Sequence, residues 1–315
     1  MKASVIISDV NSQGMLIASV YSTVTQDLPC QDFEILLPIN NEINFEDLQL
    51  LRAIQSEHSN LHLIDSTGSN RSQAINTACK LAKGDILLFT ESHCLAPRNW
   101  IRKFVEQFKD KKIKLSLGTT ISVASASPVS IAESKQQKQS TDNSIKLGLD
   151  KSYFDFHNCA IRKDSFWELN GLNEEIPIFA EFDFGARAVD QGRSIKKSNG
   201  TVLHFNDTSL ARHSLIISAQ GENKMKLYLQ KDEKYIRRYF PMPKLIRFKR
   251  ILVPFRRSIE LALIFLKNVW IIGFVLTVIL NMPSAQVSFF RQFAIASHRL
   301  GTIKALSKTQ PRKRK

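Results

Sequence analysis

Acidic residues all but vanish from the last quarter of the chain. Residues 241–315 contain 15 Lys and Arg but one acid, Glu260, whereas residues 1–240 set 29 basic residues against 28 acidic ones. The formal charge of +15 therefore belongs to a C-terminal segment, and the body is close to neutral. That distribution disfavours a nucleic-acid-binding body and points the basic segment toward an anionic membrane surface. Nor is there a basic sheet interleaved with aromatics of the kind that stacks bases, so no nucleic-acid partner is expected. Cysteine is sparse as well. Cys30, Cys79, Cys94 and Cys159 are widely spaced and form no Cys-x-x-Cys pair. A disulfide framework and a cysteine-built zinc site are thereby excluded, and free thiols in a reducing compartment are expected. The opening MKASVIISDVNSQG has only a short apolar run before Asp9, less than the apolar core of about 7–15 residues in a signal peptide. The body is expected to stay in the cytoplasm. No internal repeat is present.

What the sequence does contain is an ordinary globular composition, with 43% hydrophobic and 23% charged residues. Its first hundred residues alternate short apolar runs with helical patterns. Residues 4–8, 33–38, 61–64 and 85–90 read as buried strands. Segments 11–25, 46–57, 70–83 and a helix from Pro97 to about 109 read as helices, with Gly84 expected to cap the third. Such alternation means βαβ units and a mostly parallel sheet, in which ligands bind beyond the C-terminal strand ends. At one such end the run Asp85-Ile-Leu-Leu-Phe-Thr90 stops at Glu91-Ser92-His93. Side chains two apart on a strand share a face, so Glu91 and His93 point the same way. Further on, 114–123, 157–162 and 201–205 are strand-like, 133–143 reads as a polar mobile loop, and 179–191 reads as a helix ending at Gly192.

The C-terminal segment changes character. PKLIRFKRILVPFRR (243–257) is basic, and LALIFLKNVWIIGFVLTVIL (261–280) is apolar apart from Lys267 and a few weakly polar residues. Twenty helical residues reach about 30 Å, one bilayer core. Six Lys and Arg precede this stretch in 241–260 and two follow in 281–300, which keeps the body on the cytoplasmic side. The RKRK run at 312–315 prefers that side too. A single span therefore competes with a monotopic helix or a re-entrant hairpin, either of which satisfies both basic ends, and with a buried amphipathic helix that meets no membrane. The expected organisation is a domain over 1–215, a basic helical connection over 216–257, and membrane-associating helices with a basic tail over 258–315.

Five blocks, in order, resemble family 2 glycosyltransferases of the GT-A fold. They are SVIISDVN (4–11), DFEILLPINNE (32–42), NRSQAINTACKLAKGDILLFTESH (70–93), HNCAIRKDSFWELNGLNEE (157–175) and AEFDFGARAVDQG (180–192). The resemblance covers about residues 1–205. It implies an α/β protein with a Rossmann-like, mostly parallel central sheet flanked by helices, to which the basic and hydrophobic helical segment is appended. The implied activity is inverting transfer of a sugar from a nucleotide-sugar donor, UDP-linked by default, to a saccharide or lipid-linked acceptor in envelope polysaccharide synthesis. The alternative is a non-catalytic member that binds a sugar nucleotide or a partner enzyme.

Residue by residue, the resemblance implies the following roles. Glu91 and His93 replace the family's metal-binding D-x-D and are the expected ligands of a divalent metal, Mn2+ or Mg2+. An imidazole nitrogen suits manganese better than magnesium. Asp9, Asn11, Asn40, Asn76 and Asp85 fall on the donor side. Glu181 takes the place of the catalytic base, with Asp183 as the fallback, since two residues apart on a helix means different faces. Arg187, one turn from Asp183, is expected to pair with it. His204 and Arg212-His213 follow the sheet, where the family often places a late His or Arg near the diphosphate.

Overall fold

A computed structural model describes residues 1–8, 15–125, 127–135, 154–206, 209–240 and 256–308. Asp9 and Asn11 lie outside the described residues, as do 136–143 of the polar stretch and 243–255 of the basic one. The chain divides into two compact units, Met1–Val123 with Asp150–Phe205, and Ala124–Leu149 with Asn206–Lys315.

The first unit is built on one sheet. Its elements run β1 (Ala3–Ser8), α1 (Leu16–Val24), β2 (Phe33–Ile39), α2 (Phe45–Glu57), β3 (Leu61–Asp65), α3 (Arg71–Leu81), β4 (Ile86–Glu91) and β5 (Cys94–Leu95). There follow α4 (Trp100–Gln107), β6 (Leu115–Ala124), β7 (Cys159–Arg162), α5 (Lys163–Glu168), α6 (Ala180–Asp190) and β8 (Ile195–Asn206). The strand order is β3-β2-β1-β4-β7-β6-β8-β5. The four βα strands pair in parallel, as their sequence alternation requires, and β7 then pairs antiparallel with both β4 and β6. Successive residues of a strand feed opposite layers. Ile86 and Leu88 of β4 enter a core with Trp100 and Phe104, while Leu87 and Phe89 enter a second core with Phe154, Phe156, Phe166 and Phe184. Full burial of such side chains stabilises by about 1.5–3 kcal/mol each, so these two layers hold the sheet flat against its helices.

Local signals set the helix limits. The side chain of Asn44 accepts from the Asp47 N–H to start α2, and Asn70 and Gln73 form a reciprocal capping box at the start of α3. Gly192 closes α6 at φ +75°, with the Arg193 N–H returning to Ala188 O at 2.9 Å, a conformation that favours glycine. Gly84 differs from its expected role. The C-cap of α3 is Ala82, and Gly84 instead lets the backbone pass against β1. A Cβ at Gly84 would stand 2.5 Å from Ala3 C. Its N–H donates to Ser4 Oγ at 2.8 Å, and Ser4 in turn donates to the buried Glu34 at 2.6 Å. The helix expected from Pro97 begins at Trp100, whose N–H closes a turn onto Pro97 O.

The second unit is helical: α7 (Leu210–Gln230), α8 (Glu233–Tyr239), α9 (Arg256–Ile279) and α10 (Pro283–Lys308). Helices α9 and α10 form an antiparallel hairpin. Leu263 packs with Leu300 and Ile303 at one end, and Phe274 packs with Phe290 and Phe293 at the other. Helix α10 also lies on α7, where Gly221 meets His298 O and Gly301 meets Ser218 O with no room for a Cβ.

Replacing Gly84 by alanine is expected to destabilise the protein by about 1–3 kcal/mol, because the new methyl meets backbone that cannot yield. Urea unfolding measures it; an unchanged midpoint would mean that the 82–85 segment can move away from β1.

Candidate functional site

Strand β4 ends in a carboxylate, and the sheet topology decides what surrounds it. Parallel pairing sets Ser8 of β1 opposite Glu91. Antiparallel pairing sets Phe89 opposite Cys159, so the residue two before Cys159, His157, arrives beside the residue two after Phe89, Glu91. At the far edge Cys94 pairs with His204, which brings His204 next to His93. Three histidines distant in sequence thus converge on one carboxylate.

The geometry is close. Glu91 Oε2 lies 3.1 Å from His157 Nε2, 3.2 Å from His93 Nε2 and 3.8 Å from His204 Nε2. His93 Nε2 and His204 Nε2 are 2.9 Å apart, one ring donating and the other accepting. His157 Nδ1 faces Asp155 Oδ1 at 3.3 Å, which turns Nε2 toward Glu91. The other oxygen of Glu91, Oε1, accepts from Arg71 Nη2 at 2.8 Å. Arg71 Nη1 binds Glu181 Oε1, so one guanidinium bridges the carboxylate of β4 and the carboxylate at the start of α6.

Electrostatics follow from this packing. Burial opposes charge on Glu91, but His157, His93 and Arg71 overcome it and hold its carboxyl well below the usual range. Burial likewise opposes a proton on His157, and the carboxylates of Glu91 and Asp155 overcome it, raising its pKa well above the ordinary histidine value. His204 goes the other way. Burial, reinforced by the neighbouring His157 and His93, lowers it to about 3, so it is a neutral ring with a lone pair to offer.

These side chains suit a divalent metal. Glu91, His157 and His204 each offer one ligand atom, and the three atoms lie within 4.8 Å of one another. Metal–nitrogen bonds of about 2.1 Å put neighbouring ligand atoms roughly 3–3.4 Å apart, and the 3.1, 3.2 and 3.8 Å contacts of Glu91 Oε2, with 2.9 Å between His93 Nε2 and His204 Nε2, bracket that spacing. His204 Nδ1 is buried without a hydrogen-bond partner. The donor set is rich in nitrogen, which fits manganese, zinc or another first-row ion better than magnesium.

Of the expected site residues, Glu91, His93 and Glu181 come together here. Asp183 does not join them: its Oδ2 accepts from Arg187 Nε at 2.7 Å, and Arg187 goes on to hold the carbonyls of Leu169 and Gly171. Asn40 stands at the end of β2, where its side-chain oxygen accepts from the Glu42 N–H at 2.9 Å in a local turn. Asn76 is committed to the 172–174 loop, accepting from Leu172 N and donating to Leu172 O and Glu174 Oε1. Asp85 lies at the opposite end of β4. There it lines a concavity of about 470 Å³ with Arg162, Lys163, Asp164 and Trp167, on the other edge of the sheet from Glu91. His213 belongs to the second unit, paired with Glu133 at 3.0 Å.

Sequence reasoning missed Arg71, His157 and Asp155. Arg71 had a signal: a cation in the first turn of a helix opposes the helix dipole, and such a placement asks for an anionic partner elsewhere.

Comparisons with known proteins agree with this architecture. Residues 4–170 match the family described as glycosyl transferase family 2. A stretch of 120 residues is 25% identical to the poly(ribitol-phosphate) beta-glucosyltransferase of Bacillus spizizenii, covering 38% of this chain and 19% of that protein. The chain thus spans about a fifth of that relative's length. The fold resembles that of the mannosyltransferase PcManGT from Pyrobaculum calidifontis, solved with GDP-Man and Mn2+ (TM-score 0.57, 13% identity, 94% of this chain and 86% of that one). It also resembles S. aureus TarS 1–349 solved with UDP-GlcNAc (TM-score 0.53, 14% identity, 94% and 90%) and GalNAc-T7 solved with UDP, GalNAc and Mn2+ (TM-score 0.53, 15% identity, 76% and 50%). The sheet and its flanking helices are a GT-A fold.

Arg71→Ala would leave the carboxylates of Glu91 and Glu181 without the cation they share. The expected loss of stability is on the order of 3 kcal/mol in urea unfolding, with partial recovery in Arg71→Lys. An Arg71→Ala protein as stable as the parent would show that the bridge is not formed in solution.

Proposed function

The chain belongs to glycosyl transferase family 2, and on that premise we propose that it is an inverting enzyme using a nucleotide-sugar donor, UDP-linked by default. Its acceptor on this reading is a saccharide or lipid-linked saccharide of the cell envelope, at the cytoplasmic face of a membrane. The envelope assignment draws on the ribitol-phosphate polymer glucosyltransferase and on TarS. The donor class draws on the sugar nucleotides carried by PcManGT and TarS. The observation that carries the reaction is the juxtaposition of Glu91, its three histidines and Glu181 through Arg71 at the C-terminal edge of the parallel strands.

Glu91, His157 and His204, with His93 beside them, would hold a divalent metal. When bound, such a metal supplies positive charge against the diphosphate leaving group. The chain's own groups account for the rest. Glu181 accepts the proton of the acceptor hydroxyl as its oxygen bonds to the anomeric carbon, while the bond from that carbon to the diphosphate oxygen breaks on the opposite face. Arg71 orients Glu181 and keeps it next to the donor. Asp155 fixes the ring of His157, and Asp183, tied to Arg187, holds the turn of α6 that carries Glu181.

Titrating the purified protein with UDP- and GDP-sugars, with manganese, magnesium or EDTA, tests the donor and the metal together. Metal-dependent binding is expected, weakened about tenfold or more in His157→Ala and in His204→Ala. Binding that ignores metal would remove the metal role. Glu181→Gln is expected to keep donor affinity and lose transfer by about 10²-fold or more; unchanged turnover would move the base elsewhere.

A further inference from the structure

Helix α9 is apolar on two sides, and the fold uses only one of them. Leu263, Trp270 and Phe274 face α10, and Lys267 turns its ammonium inward to Ser214 Oγ at 3.3 Å. On the other side Leu261 is 66%, Phe265 68%, Ile272 61% and Ile279 71% exposed. Among the exposed positions between 261 and 280, Asn268 alone is polar. The outward stripe runs about 27 Å along the helix at 1.5 Å per residue. Soluble monomers rarely leave so long an apolar face to water.

Length and composition would allow this helix to cross a bilayer, but its packing argues otherwise. It is paired along its length with α10, which exposes Arg291, Arg299 and Lys304, and α10 is locked onto α7 through Gly221 and Gly301. Crossing would carry those charges into hydrocarbon or tear α9 from both partners. The hairpin also returns its two ends to the same side. Six Lys and Arg lie in 241–260, before or at the start of α9, and six in 301–315, at the end of α10 and beyond it, against one acid. Exposed Arg257 and Lys304 put positive charge at that end of the stripe, where anionic headgroups would meet it, and the sequence before and after the hairpin is basic.

We propose that the outer face of α9 is a monotopic membrane-docking surface, lying in the interface of a bilayer that contains anionic lipid. This rests on the membrane location given above and specifies its geometry: the helix lies in one leaflet and does not span. The occupant is lipid, because an outward apolar stripe with exposed basic residues at one end is the pattern of an interfacial helix that meets anionic headgroups.

The test uses the full chain with vesicles of phosphatidylcholine, alone or mixed with phosphatidylglycerol. Sedimentation with the mixed vesicles is expected, at least tenfold weaker without phosphatidylglycerol and at least tenfold weaker in Phe265→Glu and Ile272→Glu. Both substitutions sit at exposed positions, and circular dichroism and metal binding report that the fold is kept. In a Cys30→Ser background, Met282→Cys at the hairpin tip should react with an impermeant maleimide added outside the vesicles. Protection of that thiol would mean the helix spans, and would overturn the proposal. Vesicle binding untouched by both glutamates would also overturn it, while leaving membrane association standing. No vesicle binding would remove both, and a dimer dissolved by Phe265→Glu would assign the face to a second copy.

Discussion

A carboxylate buried at the end of a central strand must be compensated, and the first unit is arranged around that requirement. Glu91 is 6% exposed. A lone ionised carboxyl in such a place costs several kcal/mol in lost hydration, so each oxygen needs its own partner. Oε1 takes the guanidinium of Arg71 and Oε2 takes imidazole. These partners arrive from four elements because β4 is the point where the parallel half of the sheet meets the antiparallel half. On one side β1 runs with it and sets Ser8, whose Oγ accepts from Arg71, opposite Glu91; on the other β7 runs against it, and the chain entering β7 delivers His157. An all-parallel sheet would put the start of that neighbouring strand at the far end, and no imidazole would be supplied there.

The charges also explain why Arg71 alone is not enough. Glu91 and Glu181 share the guanidinium of Arg71 and Asp155 faces His157, so three carboxylates stand against one guanidinium, which leaves two negative charges for the rest of the cluster to meet. Without a metal, proton uptake by His157 meets one of them, which is why its affinity for the proton is raised despite burial. A single dication, on the proposed reading, would meet both. Metal and proton would then compete for His157, as for any histidine ligand. Arg71 ties this cluster to the start of α6, because the same guanidinium that steadies Glu91 steadies Glu181.

The parallel half of this arrangement was legible in the sequence. Apolar runs at 4–8, 33–38, 61–64 and 85–90 became β1 to β4 within a residue or two, because fully buried strands have a compositional signal that does not depend on their neighbours. Glu91 was legible because it ends an apolar run; His93 reaches it not by strand period, as expected, but because the turn at 92–93 between β4 and β5 returns its ring to the carboxylate. Glu181 was legible only through the resemblance. His157 was not, since its place depends on β7 pairing with β4 in the antiparallel sense, and nothing in a four-residue strand states its partner. Gly84 was misread as a cap because local sequence cannot distinguish a turn from a close backbone approach, and the approach is to a residue 81 positions away. Lys267, which counted against the apolar helix in the sequence, turns out to face Ser214.

The exchange of D-x-D for Glu-Ser-His has a structural logic. An aspartate at position 91 would be one methylene shorter, and could not engage Arg71 with one oxygen while presenting the other to three rings without moving β4. Glutamate has that reach. Once Glu91 is shared with Arg71 it would offer a metal a single oxygen, so on the proposed reading the remaining ligands would come from the histidines around it. Nitrogen donors weaken the case for magnesium, which holds its water and prefers oxygen, and strengthen the case for ions that accept imidazole at about 2.1 Å. The longer acid, the bridging arginine and the histidine-rich shell are thus one solution. Changing Glu91 back to aspartate alone would give up the bridge to Arg71 without restoring an oxygen-rich site, because the three imidazoles would still be there.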